Sequence, residues 1–181
     1  MNADNQQERL LNTESYKWFL AGFIEGEGSF CISLKQHLTA RFGYYIDPEF
    51  FLYQHKNSRE LLESAKSFFS TGNIAPKPGN ENVLVYKVTS RRSIIEKVIP
   101  FFDKHLKHCS KQKQRNFQIF KEATLALENK AHKTQKGALY LIELAYSINN
   151  AGKQRKRSKQ EVINRILRDY MPNSGAKPEK I

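Results

Sequence analysis

Residues 18–29, which read WFLAGFIEGEGS, are the stretch around which the rest of the chain is interpreted. The apolar first half suits a helix, and Gly26 and Gly28 predict where that helix ends. Glu25 and Glu27 then lie where the helix macrodipole is negative, which disfavours each carboxylate by roughly 0.3–1 kcal/mol. Carboxylates at the negative end of a helix, without a visible compensating charge, indicate a functional site. A bound divalent cation would reverse their unfavourable electrostatic energy.

Two glycines spaced four residues apart predict a close helix contact. Gly22 and Gly26 share one helix face, which Phe19 and Phe23 adjoin. Small residues at this spacing let a second backbone approach closely, with or without lipid. The apolar run is only about eleven residues, whereas a bilayer-spanning helix needs about 20. We therefore expect helix pairing without a membrane.

The nine residues 20–28, LAGFIEGEG, resemble the LAGLIDADG motif of homing endonucleases. In that family two such helices pack side by side, and each delivers an acidic residue to a DNA-cleaving site. Residues 42–55 and 96–101 are similar to the homodimeric branch encoded in group I introns of large-subunit ribosomal RNA genes. The similarity is looser over 150–168. The simpler alternative is a core helix that ends in a glycine-rich turn with solvated glutamates.

The resemblance implies a catalytic set made of Glu27, Gln54 and Lys111. Glu27 would bind the metal together with the backbone carbonyl of Gly26, Gln54 would order the water network, and Lys111 would polarise the nucleophilic water. The expected cofactor is Mg²⁺, with Mn²⁺ as a substitute, because carboxylate and carbonyl oxygens suit hard cations. Ser58 stands where some members have a basic residue, for which Lys56 or Arg59 could substitute.

The resemblance also implies a homodimer. One Glu27 per chain is too few for two scissile strands, so a second subunit must supply another carboxylate over a pseudo-palindromic DNA site. The residues expected at the interface between the subunits are Phe19, Gly22, Phe23 and Gly26.

The charge of the chain is high and unevenly distributed. The 181 residues have a net charge of +12, yet residues 1–50 hold 4 Lys/Arg against 7 Asp/Glu, and the remainder holds 26 against 11. Clustered positive charge predicts a polyanionic partner, here double-stranded DNA or, as an alternative, intron RNA. No basic amphipathic helix indicates a membrane partner. Two isolated cysteines and a polar N-terminus predict a protein that is not secreted, in a bacterial cytoplasm or an organelle.

Hydrophobic periodicity predicts an α+β fold with one antiparallel sheet, in the order αββαββα, followed by extra C-terminal helices. The resemblance implies that this is the fold of LAGLIDADG homing endonucleases. Residues 30–35 alternate at period two, and 44–54 should form a partner strand interrupted near Asp47-Pro48. A helix is predicted from 58 to a stop at Gly72, strands at 73–75 and 83–89, and helices at 93–102, 111–129, 136–149 and 159–170. We expect an endonuclease domain over 13–170 between flexible ends, 1–12 and 171–181.

The predicted sheet leaves one face free for DNA, because helices cover the other. A β-ribbon can enter the major groove and read base edges. Lys104–Lys121 and Lys153–Lys159 are basic clusters that suit phosphate contacts. The candidate DNA-binding residues are Ser33, Lys35, His37, Arg41, Lys77, Asn82, Tyr86, Lys113, Arg155, Lys156 and Arg157. For each residue of the sheet the alternative is an ordinary solvated strand face.

Three functions are compatible with this pattern. The first is an intron-encoded homing endonuclease that makes a metal-dependent double-strand break with short 3′ overhangs in a long site, expected in an intronless large-subunit ribosomal RNA gene. The second is a maturase-like protein that assists group I intron splicing without cleavage. The third is a DNA-binding regulator on the same scaffold. The set formed by Glu27, Gln54 and Lys111 favours the nuclease.

Overall fold

A computed structural model describes residue 11 and residues 13–148, 155 and 157–168. The first half of the chain forms α1 (Glu14–Glu27), β1 (Gly28–Gln36), β2 (Tyr44–His55), α2 (Arg59–Phe69), β3 (Asn73–Lys77) and β4 (Asn80–Val88). Helix α3 then has three consecutive parts, Arg91–Ser93, the π-helical Ile94–Val98 and Ile99–His105. The last helices are α4 (Lys111–Glu128), α5 (Gln135–Ser147) and α6 (Lys159–Arg168).

The four strands form one antiparallel sheet in the order β1-β2-β4-β3. The predicted order, helix, two strands, helix, two strands and helix, is confirmed, and further helices follow it as expected. Thr13 caps the N-terminus of α1, since its hydroxyl accepts a hydrogen bond from the Tyr16 N–H. Strand β1 follows α1 directly, so the end of the motif helix lies at an edge of the sheet.

The core lies between one face of the sheet and the helices. Phe30 and Ile32 of β1 and Phe50 and Leu52 of β2 point into it and are at most 1% exposed. The Phe30 ring contacts four other aromatic rings at centroid distances of 4.9–5.7 Å. Residues that alternate with these point to the other face, as the period of two in the sequence predicts for β1.

Strand β2 differs from its prediction, because it continues through Pro48. Pro48 pairs with Ile32 of β1, whereas β4 pairs with β2 only over Phe50–His55. The missing N–H of Pro48 therefore costs no bond to β4, and the strand tolerates proline at this position.

The predicted ends of the domain are only partly covered by the described residues. Apart from Leu11, which is buried, the expected flexible segments 1–12 and 171–181 lie outside them. The limits 13–170 therefore stay a prediction. Within the described parts of the chain, no helix combines the length and the apolar character needed to cross a bilayer.

Candidate active site and nucleic-acid interface

Helix α1 ends in two exposed residues, Gly26 and Glu27, which offer a backbone carbonyl and a carboxylate as oxygen ligands. Glu27 is its last residue, Gly26 precedes it, and both are exposed. The N–H of Gly28 donates to the Ile24 carbonyl, and a Cβ at Gly28 would lie 2.4 Å from the Ile24 Cγ2 atom. Only glycine fits there, so the chain can pass straight from α1 into β1 and leave the Glu27 carboxylate at the junction.

Lys113 compensates the negative end of α1. Its Nζ atom donates to the carbonyls of Ile24, at 3.0 Å, and Gly28, at 2.6 Å. A cation at this end opposes the macrodipole and offsets the repulsion that the sequence predicts for the two glutamates. Burial lowers the pKa of the Lys113 ammonium, and nearby acidic groups including Glu25 and Glu27 oppose that shift. Protein carbonyls accept two of the three hydrogen bonds that this ammonium group can donate, and the predicted contact of Lys113 with DNA stays a prediction.

Glu25 connects the motif helix to α4. Its Oε2 atom accepts a hydrogen bond from the Ser110 N–H at 3.3 Å, and Ser110 is the residue that caps α4. Cys109 lies beside this contact; burial, and secondarily Glu25, raise the pKa of its thiol to about 11. Glu25 thus holds two elements together, and it leaves Glu27 as the free carboxylate of the motif.

Gln54 lies near the same end of the sheet. Gly28 pairs with Leu52, so Gln54 is two residues further along β2, beyond the point where β1 begins. Its Oε1 atom accepts a hydrogen bond from the His55 N–H at 2.7 Å.

Lys111 is the first residue of α4 and is exposed. It is two residues from Lys113, which contacts the motif helix. The roles expected of Glu27, Gln54 and Lys111 stay predictions. The Arg59 guanidinium is paired with Glu63 at 2.7 Å, whereas Lys56 is exposed just after β2.

One face of α1 has no neighbour within the described chain. Ideal Cβ atoms at Gly22 and Gly26 would find no atom within 4 Å, and the Phe19 side chain is 51% exposed. Phe23 is half-buried and stacks on Phe19 with their ring centroids 6.2 Å apart. The two glycines therefore leave an apolar part of α1 uncovered among the described residues, which suits close packing of a second helix.

The open face of the sheet carries three of the predicted DNA-binding side chains. The Ser33 hydroxyl donates to the Asp47 carbonyl at 3.3 Å. The Lys35 ammonium lies 2.9 Å from Glu49, and the Lys77 ammonium lies 5.3 Å from the centre of the Tyr53 ring. These groups share one surface, which the cross-strand register places opposite the core.

Three further candidates lie in the hairpins beyond that face. His37 and Arg41 lie in or beside the turn between β1 and β2, and Asn82 lies near the turn between β3 and β4; all three are exposed. The Nδ1 atom of His37 is 2.8 Å from the Thr39 hydroxyl, which is 3.1 Å from the Tyr45 hydroxyl.

Tyr86 is a wrong prediction, because its side chain lies in the core. It is 0% exposed, its hydroxyl donates to the Thr71 carbonyl at 2.9 Å, and burial raises its pKa. The next residue, Lys87, points to the open face, where its ammonium lies 3.2 Å from Glu49. In the sequence, Tyr86 alternates with the apolar Leu84 and Val88 of β4. This alternation assigns Tyr86 to the core face and Lys87 to the open face.

The second basic cluster is only partly described. Arg155 donates from Nη2 to the carbonyls of Ile32, at 3.1 Å, and Ala145, so protein atoms hold its guanidinium group rather than leaving it free for phosphate. Its predicted role in DNA binding is therefore not supported by its position. Arg157 is exposed, and Lys156 lies outside the described residues.

Comparisons with known proteins agree with this architecture. The family model described as LAGLIDADG endonuclease matches residues 20–124. The DNA endonuclease I-CeuI of Chlamydomonas moewusii is 40% identical over 128 residues, which is 70% of this chain but only 59% of that protein. The homing endonuclease I-ApeII of Aeropyrum pernix is 29% identical over 149 residues, 80% of this chain and 86% of that protein.

A solved structure shows the same fold. The archaeal intron-encoded homing endonuclease I-Vdi141I, complexed with DNA, superposes with a TM-score of 0.78 and 32% identity. The superposition covers 87% of this chain and 98% of that one. With the motif at the junction of α1 and β1 and a matching model over more than half its length, this chain belongs to the LAGLIDADG endonuclease family.

Proposed function

We propose that the chain is an intron-encoded homing endonuclease that makes a metal-dependent double-strand break in a specific DNA site. The break would leave short 3′ overhangs in a long pseudo-palindromic site, within an intronless large-subunit ribosomal RNA gene. The observation that carries the proposal is the exposed Glu27 carboxylate at the end of α1, beside the sheet that presents lysines on its open face. A bacterial cytoplasm or an organelle would be the compartment.

Glu27 and the carbonyl of Gly26 would hold Mg²⁺, or Mn²⁺ in its place. Both groups are exposed hard oxygen donors at the negative end of a helix, so they fit a divalent cation. Such a cation supplies an activated water and stabilises charge on the attacking and leaving oxygens of a phosphodiester. Lys113 donates hydrogen bonds to the Ile24 and Gly28 carbonyls, and these bonds would keep this end of the helix ordered.

Gln54 and Lys111 would act on the water and the phosphate. Gln54 extends from the end of β2 near the motif helix, where its amide can orient a water molecule by hydrogen bonding. Lys111 is exposed at the start of α4, so its ammonium is free to approach the charged phosphate. Lys56 is the better substitute for the basic residue absent at Ser58, because Arg59 is already paired with Glu63.

A homodimer would bring two Glu27 carboxylates together. The free face of α1, formed by Phe19, Gly22, Phe23 and Gly26, suits a second copy because its glycines leave room for a backbone. Pairing through this face would place two motif ends side by side and two sheets on one DNA duplex. The pseudo-palindromic site follows from that symmetry.

The test is cleavage of an intronless large-subunit ribosomal RNA gene fragment, with and without Mg²⁺, with both strand breaks mapped. Glu27→Gln should lower the cleavage rate at least about a hundredfold while DNA binding persists, because the amide no longer neutralises a cation. Glu96→Gln changes an exposed glutamate of α3 that, among the described residues, forms an ion pair only with Arg92, and this matched control should cleave normally.

Undiminished cleavage by Glu27→Gln would end the proposal. A protein that binds the intron RNA and supports splicing, but cuts no DNA, would instead establish the maturase alternative. Sedimentation of the protein with its DNA tests the dimer, since a single copy per site would contradict the shared centre.

A further inference from the structure

Glu49 is a buried acid on the face of the sheet that is otherwise open. Its side chain is 6% exposed, and no other carboxylate among the described residues is classed as buried. An unpaired carboxylate in such a position would carry a large desolvation cost, so its surroundings must compensate the charge. The cross-strand register places Glu49 opposite Cys31 of β1, on the same face as Ser33 and Lys35.

Two lysines from the neighbouring strands supply that compensation. The Lys35 ammonium from β1 lies 2.9 Å from the Glu49 Oε1 atom, and the Lys87 ammonium from β4 lies 3.2 Å from the same atom. Their side chains are 55% and 39% exposed, so both lysines also face solvent. The hydrogen bond to Glu49 is the main cause that raises the pKa of Lys35.

Aromatic rings extend this arrangement across the sheet. Lys87 also lies 5.1 Å from the centre of the Phe51 ring, and Lys77 of β3 lies 5.3 Å from that of Tyr53. Phe51 and Tyr53 stack on each other with centroids 6.1 Å apart. A row of three ammonium groups therefore crosses all four strands, and each is held by a carboxylate or a ring.

A lysine fixed by neighbouring side chains binds DNA differently from a mobile one. A lysine loses rotamer entropy when it is fixed, so fixing it before binding removes that cost from association. A free lysine binds the nearest phosphate, which carries no sequence information, whereas a base edge requires a donor at a defined place. The negative charge of Glu49 also weakens the pull of both lysines toward phosphate.

We propose that Glu49 is a positioning residue for base recognition, which fixes Lys35 and Lys87 as a pair of donors to guanine O6 and N7 atoms in the major groove. Guanine is the expected base because it offers two acceptors there and is the usual partner of lysine. Glu49 itself does not contact the DNA. The proposal rests on the proposed function, in that this face of the sheet is the one that binds DNA.

The experiment compares base preferences by binding to a pool of randomised DNA duplexes in Ca²⁺, followed by sequencing of the bound fraction. The proteins are the unmodified chain, Lys35→Met, Lys87→Met and Glu49→Gln. Glu96→Gln on α3 makes the same change in net charge outside the sheet and is the control. Each lysine variant should lose guanine preference at one position of the half-site.

Glu49→Gln should lower the guanine preference at both of those positions by about tenfold. Its affinity for random DNA should rise, and its dependence on salt should steepen. Among the described residues, Lys87 then has no carboxylate partner and Lys35 keeps only the longer contact to Asp47, at 3.7 Å, so both lysines can bind phosphates. A residue that only maintained the fold would not produce that combination. Glu96→Gln should match the unmodified chain in both measurements.

Glu49→Asp keeps the charge if the glutamine variant does not fold. The shorter side chain cannot reach both ammonium groups, so guanine preference should fall while the salt dependence stays unchanged. An unaltered preference in the Glu49 variants, with altered preferences in both lysine variants, would overturn the positioning role and leave the DNA-binding face intact. Lysine variants that change neither affinity nor preference would overturn the assignment of this face to DNA as well.

Discussion

The two faces of the four-stranded sheet are built from alternate residues of the same strands, yet they differ in almost every physical property. On one face, Phe50 and Tyr86 are fully buried among other rings. On the other, the adjacent Phe51 and Lys87 are partly exposed and contact each other. The core face fixes which strands pair, whereas the open face presents charge at fixed positions. Adjacent residues of one strand therefore have different roles: one packs in the core, and the next lies on the face proposed to bind DNA.

The largest expected effect compares two adjacent phenylalanines. Phe50→Ala should lower the free energy of unfolding by about 3–5 kcal/mol, because it leaves a cavity among buried rings. Phe51→Ala should lower it by less than about 1.5 kcal/mol and should weaken DNA binding instead. Urea unfolding at one fixed protein concentration measures both. Equal losses of stability would show that the two faces are not distinct.

A second prediction extends the contrast to the two lysines at the start of α4. Lys113→Met should lower the free energy of unfolding by about 1–3 kcal/mol, because the carbonyls of Ile24 and Gly28 lose a charged donor. Lys111→Met should change stability by less than about 0.5 kcal/mol, since its side chain is exposed. The same two proteins should be assayed for DNA cleavage, where only Lys111→Met combines full stability with a slower rate. Normal cleavage by Lys111→Met would remove that residue from the catalytic set.

The smallest expected effect comes from comparing substitutions at two adjacent residues of β4, Tyr86 and Lys87. Tyr86→Phe should cost about 1 kcal/mol of stability, the value of one hydrogen bond to the Thr71 carbonyl, and should leave DNA affinity unchanged. Lys87→Met should also lower stability, because the buried Glu49 carboxylate then keeps only Lys35 as a close cation among the described residues, and unlike Tyr86→Phe it should weaken DNA binding. Binding titrations with each variant, beside thermal unfolding, make this comparison. A loss of DNA affinity in Tyr86→Phe with its fold intact would restore Tyr86 as a contact.

Local patterns in the sequence carry much of this structure. Alternation in β1 assigns Phe30 and Ile32 to the core and Cys31 and Ser33 to the open face, and both assignments agree with the structure. The motif also predicts the position of Glu27 at the end of α1. Each of these features depends on residues only a few positions apart, so a short window of sequence contains the information.

Contacts between distant residues could not be predicted in that way. Lys113 contacts Gly28 across 85 residues, and Glu49 is buried because lysines from two other strands converge on it. No local pattern marks either residue as different from an ordinary solvated charge. Tyr86 is a different case: its ring and hydroxyl suit both a core and a DNA contact, and only its place in the alternation of β4 decides between them.

The position of Arg155 bears on whether the edge strand β1 can pair with a strand of another molecule. Strand β1 is an outer strand of the sheet, and its outward backbone groups could hydrogen-bond with a strand of another molecule. The Arg155 guanidinium occupies one of these acceptors, the Ile32 carbonyl. We therefore expect the Arg155 side chain to hinder edge-to-edge pairing of β1 with another molecule at this position.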